Sequence, residues 1–557
     1  MYSNKKIIQS LGEILKVKGI HHMVISPGSR NAPMILQFTQ QQVFKTYSIV
    51  DERCAAFFAL GMAQSLKNPV AINCTSGSAL TNYHPAITEA FYQDIPLIII
   101  TADRPKEFID LFEGQTIRQE NFFQAHTVKS VQLTEDEIEK GLWHNERLIN
   151  EALNEALLKQ KPVHINVPLS EPLYDTINRL QTQPKIIDIP GTTPLIDKKT
   201  LENHKKIWNW SKKKMILVGQ NNPSQRLKKA LEDLTQDPSI IILTETLANV
   251  HHRNFIPHID RMIFPMKEQE WNNFQPEILL TVGKNIISKK IKDLLKITSY
   301  LHHWHVEPIR EHNPDTYQHL TSHWITSPED LLEKLQGKTN KNSDYGKKWT
   351  KLKDYRQKKH DLFLKDVKFS DLKVFNQILK KIPPYTNLQL GNSTIIRYQQ
   401  LFDQKSSVTS HCNRGTAGID GLVSTAIGAA VTSNRPVTLI IGDVSFFYDS
   451  NALWNKYTPH NFRIILINNG GGNIFRFIPG PSSSPALEDY FETKHSLTAQ
   501  HLCQTYRWEY YQADDTATLS KNLESFWNIS KSPRLLEINT RDQKNEHILK
   551  KYFEFIN

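Results

Sequence analysis

The chain has 557 residues, 39% hydrophobic and 22% charged, with a mean hydropathy of −0.46 and a net charge of +11. Its apolar runs fall far short of the roughly 20 residues that cross a bilayer, so no membrane partner is expected. Residues 338–368 hold 11 basic against 4 acidic residues, 7 of the whole surplus, and such a localised run reads as the solvated face of a helix, with no nucleic-acid partner.

From the start of the chain, Met1–Gly19 carries lysines throughout and lacks the apolar core of a secretory signal, so a cytoplasmic location is expected. Short apolar runs then keep ending in small polar loops. Val24-Ile25 enters Ser26-Pro27-Gly28, Pro96–Ile100 enters Thr101-Ala102-Asp103, and Pro162–Val167 closes this first series. Cys54–Leu66 and Asn145–Leu158, between them, have helical spacing. A linker is expected over 181–195, where three prolines and a glycine cluster. A second series follows with Met215–Val218, Ile240–Leu243 and Ile278–Val282. The basic segment marks the next boundary, with Trp349, Leu352 and Tyr355 as the narrow buried side of its helix. Leu388–Leu390, Pro436–Gly442, Arg463–Ile467 and Leu535–Ile538 make a third series. Alternation of this kind predicts an α/β chain of three parallel-sheet domains, 1–180, 196–336 and 350–557. Cys54, Cys74, Cys412 and Cys503 are too scattered for a disulfide framework or a C-x-x-C metal site.

The third series carries the most informative motif. One strand ends at Gly442-Asp443 and the next at Asn468-Asn469-Gly470-Gly471-Gly472, so both polar ends face the edge of a parallel sheet where ligands bind. Asp443 and Asn469 offer the hard oxygen ligands that Mg²⁺ takes together with phosphate oxygens and water. The glycines let backbone approach a diphosphate without Cβ clashes.

Gly442–Asn469 resembles the thiamine diphosphate signature, Gly-Asp followed after a spacer of this length by Asn-Asn. Asp51-Glu52-Arg53 resembles the segment that supplies the cofactor's glutamate. Four further segments are similar to those of one family: Ile25–Pro33, Thr75–Ser78, Ala102–Pro105 and Asn413–Gly421. That family is the thiamine diphosphate-dependent 2-succinyl-5-enolpyruvyl-6-hydroxy-3-cyclohexene-1-carboxylate synthases of menaquinone biosynthesis, and the matching segments run in order from Ile25 to Phe475. The departures are small: Gly470 stands where a third asparagine is common, Ser78 where threonine is, and Cys54 where glycine is.

The resemblance implies a pyrimidine-binding, a central and a diphosphate-binding domain, with thiamine diphosphate and Mg²⁺ (Mn²⁺ as the alternative) as cofactors. It implies Glu52, Thr75, Gly77, Ile419, Gly442, Asp443, Val444, Ser445, Asn469, Gly471, Gly472, Asn473 and Ile474 as cofactor contacts. Asp443, Asn469 and Gly471 would hold the metal. Glu52 would hydrogen-bond the aminopyrimidine ring at N1′, and Ile419 would support its bent conformation. Catalysis would rest on Glu52, Arg30, Arg397 and Arg414.

The expected substrates are 2-oxoglutarate and isochorismate, each with two carboxylates. Ser29, Arg30, Arg104, Gln115, Lys289, Ser393, Arg397, Arg414, Ile474 and Phe475 would contact them. Lys284 and Lys290 compete with Lys289 for its role. Arginines in four strand-end loops fit such substrates, because the guanidinium fork matches a carboxylate. The implied assembly is a homodimer or a dimer of dimers, with Glu52 of one chain facing Asp443 of the other. The runner-up is another thiamine diphosphate enzyme, acetolactate-synthase-like or a 2-oxo-acid decarboxylase, which typically handles less charged acceptors. A non-catalytic ligand-binding or scaffold protein of the same fold is disfavoured by the joint presence of Glu52, Asp443 and Asn469.

Overall fold

The computed structural model describes residues 1–190, 196–299, 301–309, 312–337 and 339–557; residues 191–195 of the expected linker lie outside the described residues. The apolar runs form three parallel sheets. The first contains β1 (His22–Ile25), β2 (Lys45–Ser48), β3 (Val70–Cys74), β4 (Leu97–Asp103), β5 (Lys129–Gln132) and β6 (Val163–Pro168). The second contains β7 (Lys214–Val218), β8 (Ile240–Thr244), β9 (Ile278–Val282), β10 (His302–Glu307) and β11 (Leu320–Ile325), in the order β8-β7-β9-β10-β11. The third contains β12 (Asn387–Leu390), β13 (Thr409–Cys412), β14 (Val437–Gly442), β15 (Arg463–Asn468), β16 (Glu509–Ala513) and β17 (Arg534–Asn539).

The first and third sheets have the same strand order. One runs β2-β1-β3-β4-β6-β5 and the other β13-β12-β14-β15-β17-β16. In each, the chain leaves the first strand to one side and returns on the other, so a crevice opens beyond the carboxyl ends of β1/β3 and of β12/β14. The predicted loops Ser26–Asn31 and Thr75–Gly77 flank the first crevice. Asn392-Ser393 and Gly442-Asp443 flank the second.

Two equivalent helices join these halves. Glu52–Leu66 follows β2 and is capped by Asp51, whose Oδ1 accepts from Cys54 N. Leu422–Thr432 follows β13 and begins after Gly421. Both are apolar nearly all round, the pattern of a helix buried on every side. Their backbones meet directly: a Cβ on Gly61 would lie 1.9 Å from the Thr425 carbonyl oxygen, and one on Gly428 1.9 Å from that of Phe58. Phe57, Phe58, Leu60, Ile72, Leu422, Ile427, Leu439 and Ile464 form one apolar cluster across the junction, each large side chain contributing about 1.5–3 kcal/mol on burial.

The basic helix spans Tyr345–Asp366 and buries Tyr345, Trp349, Arg356, His360 and Leu364. Tyr355 is exposed, not buried as its three-residue spacing suggested. A period of 3.6 drifts away from a strict three-residue repeat within two turns. Among the described residues no helix is long and apolar enough to cross a membrane.

Candidate active site

The loop after β15 folds around the Asp443 carboxylate. Asp443 is buried; its Oδ2 accepts from Gly470 N (2.7 Å) and Gly471 N (3.0 Å), and its Oδ1 from Val444 N (2.7 Å). His495 Nε2 stands 3.5 Å from Oδ2. Gly471 has φ +148, and a Cβ there would lie 2.7 Å from the Glu492 carbonyl oxygen, so a larger residue would be both strained and crowded. Glu492 O also accepts from Gly472 N at 2.6 Å. Asn473 donates from its side chain to Asn469 O (3.1 Å), while Ser445 is buried beside the aspartate turn.

Asn469 is oriented by a residue that sequence reasoning missed. Its Nδ2 donates to Asp371 Oδ2 at 2.9 Å, and Asp371 Oδ1 accepts the Thr540 hydroxyl at 2.6 Å. With the amide nitrogen held, Asn469 Oδ1 is the atom left to face a cation. Asp443, just after β14, and Asn469 Oδ1 and the Gly471 carbonyl, on the loop after β15, are hard oxygen donors, and this set fits Mg²⁺ or Mn²⁺. The glycine cradle beside them fits a diphosphate. Asp371 is the first residue of a helix capped by Ser370, where an aspartate is ordinary, so it carried no distinguishing sequence signal.

The arginines form two like-charged pairs. In the first half, Arg30 is buried after β1, and burial followed by the charge of Arg104 after β4 pulls its guanidinium below the usual range. Arg30 Nη1 donates to Leu169 O (2.9 Å) and pairs with Glu171; Arg104 Nη2 donates to Gly114 O (3.1 Å). In the second half, burial followed by the charge of Arg414 lowers Arg397, against Asp260 and Glu245. Arg414 Nη1 donates to Asn392 Oδ1 (3.0 Å) and Arg397 Nη1 to Ser393 O (2.7 Å). The Nε atoms of Arg30, Arg104 and Arg414 are buried without a hydrogen-bond partner among the described residues. A buried donor left unpaired is costly, and an anion would satisfy these three.

Around the first pair, Thr75 Oγ1 accepts from Arg30 N (3.2 Å), Ser29 Oγ lies 2.9 Å from Tyr174 Oη, and Gly77 N donates to Gln119 Oε1 (2.9 Å). Exposed Gln115 packs over Gly77. Around the second, Lys289, Arg397 and Ile474 line one cavity of about 730 Å³ between the central and third sheets, with Asp260 and Tyr398. Lys284 instead pairs with Asp94 of the first sheet's domain. Phe475 stacks at a tilt against Phe491.

Glu52 is half-buried at its helix start. Burial pushes its carboxyl up, and the Asp51 charge adds to that against its own backbone N–H. Its neighbours contact the end of the Asp443–Tyr448 helix and the segment that follows it: Asp51 accepts from Asn451, Arg53 donates to Tyr448 O, and Cys54 Sγ meets Asp449. Within one chain, among the described residues, no hydrogen bond or ion pair joins Glu52 to Asp443, Asn469 or residues 470–473. Ile419 is exposed on the loop after Arg414, an apolar side chain awaiting cover. The predicted residues thus fall on the loops of the first and third sheets, with Lys289 on a helix of the central domain.

Comparison with known proteins follows the same division. A family model described as thiamine pyrophosphate enzyme, N-terminal TPP binding domain, matches residues 5–131, and one described as middle domain of thiamine pyrophosphate matches residues 191–390. The 2-succinyl-5-enolpyruvyl-6-hydroxy-3-cyclohexene-1-carboxylate synthase of Flavobacterium johnsoniae is 47% identical, over 100% of this chain and 99% of its own. That of Flavobacterium psychrophilum is also 47% identical over the same shares. The Bacteroides thetaiotaomicron synthase is 35% identical over 99% of each chain. With identity of this extent running from end to end, the chain belongs to the 2-succinyl-5-enolpyruvyl-6-hydroxy-3-cyclohexene-1-carboxylate synthase family of thiamine diphosphate-dependent enzymes.

Proposed function

We propose that this chain decarboxylates 2-oxoglutarate and adds the remaining succinyl unit, in a 1,4-addition, to isochorismate, releasing CO₂ and 2-succinyl-5-enolpyruvyl-6-hydroxy-3-cyclohexene-1-carboxylate for menaquinone biosynthesis. The observation that carries this reading is the two like-charged arginine pairs, Arg30/Arg104 and Arg397/Arg414, with three buried unpaired Nε–H groups. Two dicarboxylate substrates would neutralise both pairs.

When bound, thiamine diphosphate supplies a carbon nucleophile and an electron sink for a 2-oxo acid. Asp443, Asn469 and the Gly471 carbonyl would hold Mg²⁺, and the 470–473 backbone would receive the diphosphate. Glu52, with its raised pKa, would hold a proton at N1′ of the aminopyrimidine. Ile419 would press against the cofactor's underside. The arginines would orient carboxylates and offset their charge inside a dry site, where such interactions are strongest. Lys289, Ser393, Ile474 and Phe475 would close around the acceptor.

The active unit in this reading is a homodimer or a dimer of dimers, as the family resemblance implies, with Glu52 of one chain facing Asp443 of the other. The domains would run 1–180, 196–336 and 350–557. Four buried free thiols suit a reducing cytoplasm.

The test is CO₂ release from 2-oxoglutarate with cofactor and Mg²⁺, first alone and then with isochorismate. A strong dependence on isochorismate supports the synthase. Full-rate release without it would make the chain a simple decarboxylase.

A further inference from the structure

Away from the arginine pairs, the edge of the central sheet brings two imidazoles and a carboxylate together. β10 and β11 are parallel neighbours, and their register sets His305 opposite His323. Glu307 lies two residues beyond His305 and so projects from the same face. His323 Nε2 is 2.8 Å from Glu307 Oε1, His305 Nε2 is 3.8 Å from Glu307 Oε2, and the three donor atoms all lie within 4.8 Å of one another.

The outer nitrogens are already held. His305 Nδ1 is tied to the Thr281 hydroxyl at 2.8 Å, and His323 Nδ1 donates to Asn313 Oδ1 at 3.3 Å. Both rings thus aim Nε2 at the carboxylate, as imidazoles do when a second contact fixes their orientation around a metal. The histidine side chains are 9% and 8% exposed and that of Glu307 30%, so the face is sheltered but reachable. His305 and Glu307 also line a cavity of about 430 Å³, with His312, Lys284 and Gly415 on its walls. We propose that His305, Glu307 and His323 bind a divalent transition-metal ion, best matched by Zn²⁺, with a fourth position open to that cavity.

Two nitrogens and one carboxylate oxygen suit Zn²⁺ and its transition-metal neighbours better than Mg²⁺ or Ca²⁺, which take oxygen sets. Ligands about 2.0–2.1 Å from a tetrahedral zinc stand about 3.3 Å apart. The separations of 2.8 and 3.8 Å bracket that value, and since no pair is more than 4.8 Å apart, closure by at most about 1.5 Å through side-chain rotation suffices. The competing arrangement is a hydrogen-bonded ion pair that takes no metal.

The deciding measurement is a Zn²⁺ titration of chelator-stripped full-length protein against a chromophoric chelator, with metal content read after dialysis. Wild type and Asp443→Ala are each expected to take up one equivalent, since this site lies apart from the metal loop. His323→Ala and Glu307→Gln are expected to weaken uptake by at least about tenfold. Glu307→Gln keeps the side chain's shape, and thiamine diphosphate binding reports that each variant bearing an intact metal loop is folded. Co²⁺ added in place of Zn²⁺ should give visible absorption in wild type that His305→Ala loses. Absence of a stoichiometric Zn²⁺ site in wild type overturns the proposal, as does equal Zn²⁺ uptake by the folded His323→Ala and Glu307→Gln variants.

Discussion

Asp371 holds Asn469 by the amide nitrogen, at 2.9 Å, and is itself held by the Thr540 hydroxyl at 2.6 Å. The pair turns an asparagine, whose two amide atoms are nearly the same size, into an oxygen ligand with one orientation. Asp371→Ala frees the amide to flip. Mg²⁺-dependent thiamine diphosphate affinity, read by calorimetry, is expected to fall about tenfold, the low end for a lost hydrogen bond to a charged group. Asp371→Asn, which keeps an acceptor, should recover part of it. Unchanged affinity in a folded Asp371→Ala protein would show that Asn469 needs no such guide.

Asp443→Ala removes the one charged donor of the proposed metal set and the acceptor that gathers Gly470, Gly471 and Val444. Mg²⁺-dependent cofactor binding is expected to disappear, while the fold, followed by circular dichroism, persists. Retained binding at wild-type affinity rules out the metal assignment.

Arg414→Ala should reduce turnover far more than cofactor affinity. A charge-assisted hydrogen bond is worth roughly 1.5–3 kcal/mol, or about ten- to a hundredfold. Relief of its repulsion on Arg397 should also raise that residue's hold on its proton. Equal losses in cofactor and substrate binding point to a structural role instead.

Mixing Glu52→Gln with Asp443→Ala under conditions that exchange subunits tests the dimeric site. Each alone should be inactive. A mixed dimer carries one doubly defective and one intact site, and about half the dimers are mixed, so roughly a quarter of wild-type activity should return. Demonstrated exchange with no activity would place both half-sites in one chain.

Acid should weaken the fold through His164, which is buried against Thr101 and held neutral, with its pKa lowered to about 3. The unfolded imidazole titrates near 6.5, so below that pH the unfolded state binds the extra proton. The penalty grows from pH 6.5 down to the folded value and then levels off. At pH 5 it amounts to about 2 kcal/mol. His164→Asn should flatten the dependence of unfolding free energy on pH between 7 and 5, measured by urea denaturation; an unchanged slope contradicts the assignment.

Most strands that could be read from the sequence are interior ones, Ile240–Thr244 being an edge strand that is nonetheless fully buried and apolar. Ile278–Val282 and Arg463–Asn468 are buried on both faces and show as apolar runs. Lys45–Ser48, Lys129–Gln132, Thr409–Cys412 and Glu509–Ala513 gave no such signal, and each is an outer strand of its sheet. An edge strand has one neighbour and partial exposure, so its side chains need not be apolar. The site divides similarly. Asp443 and the glycines stand out as a motif fixed by backbone geometry, whereas Asp371 lies 98 residues from Asn469 and only folding reveals its contact. The shared strand order of the two outer sheets was equally silent, since alike folds were built here from unlike residues.

Gly61 and Gly428 leave the two helices nothing to adjust. Most joints between domains are cushioned by side chains, whose many small rotations absorb a misplaced atom. At this one, carbonyl oxygen rests on bare Cα, and a methyl at either glycine would fall 1.1 Å short of the 3.0 Å clearance that real Cβ atoms keep. The junction is a hard stop whose dimension is set by covalent geometry. Its tolerance passes unchanged to every loop mounted on the two sheets, so alignment of the chemistry is governed by residues that carry no functional group at all.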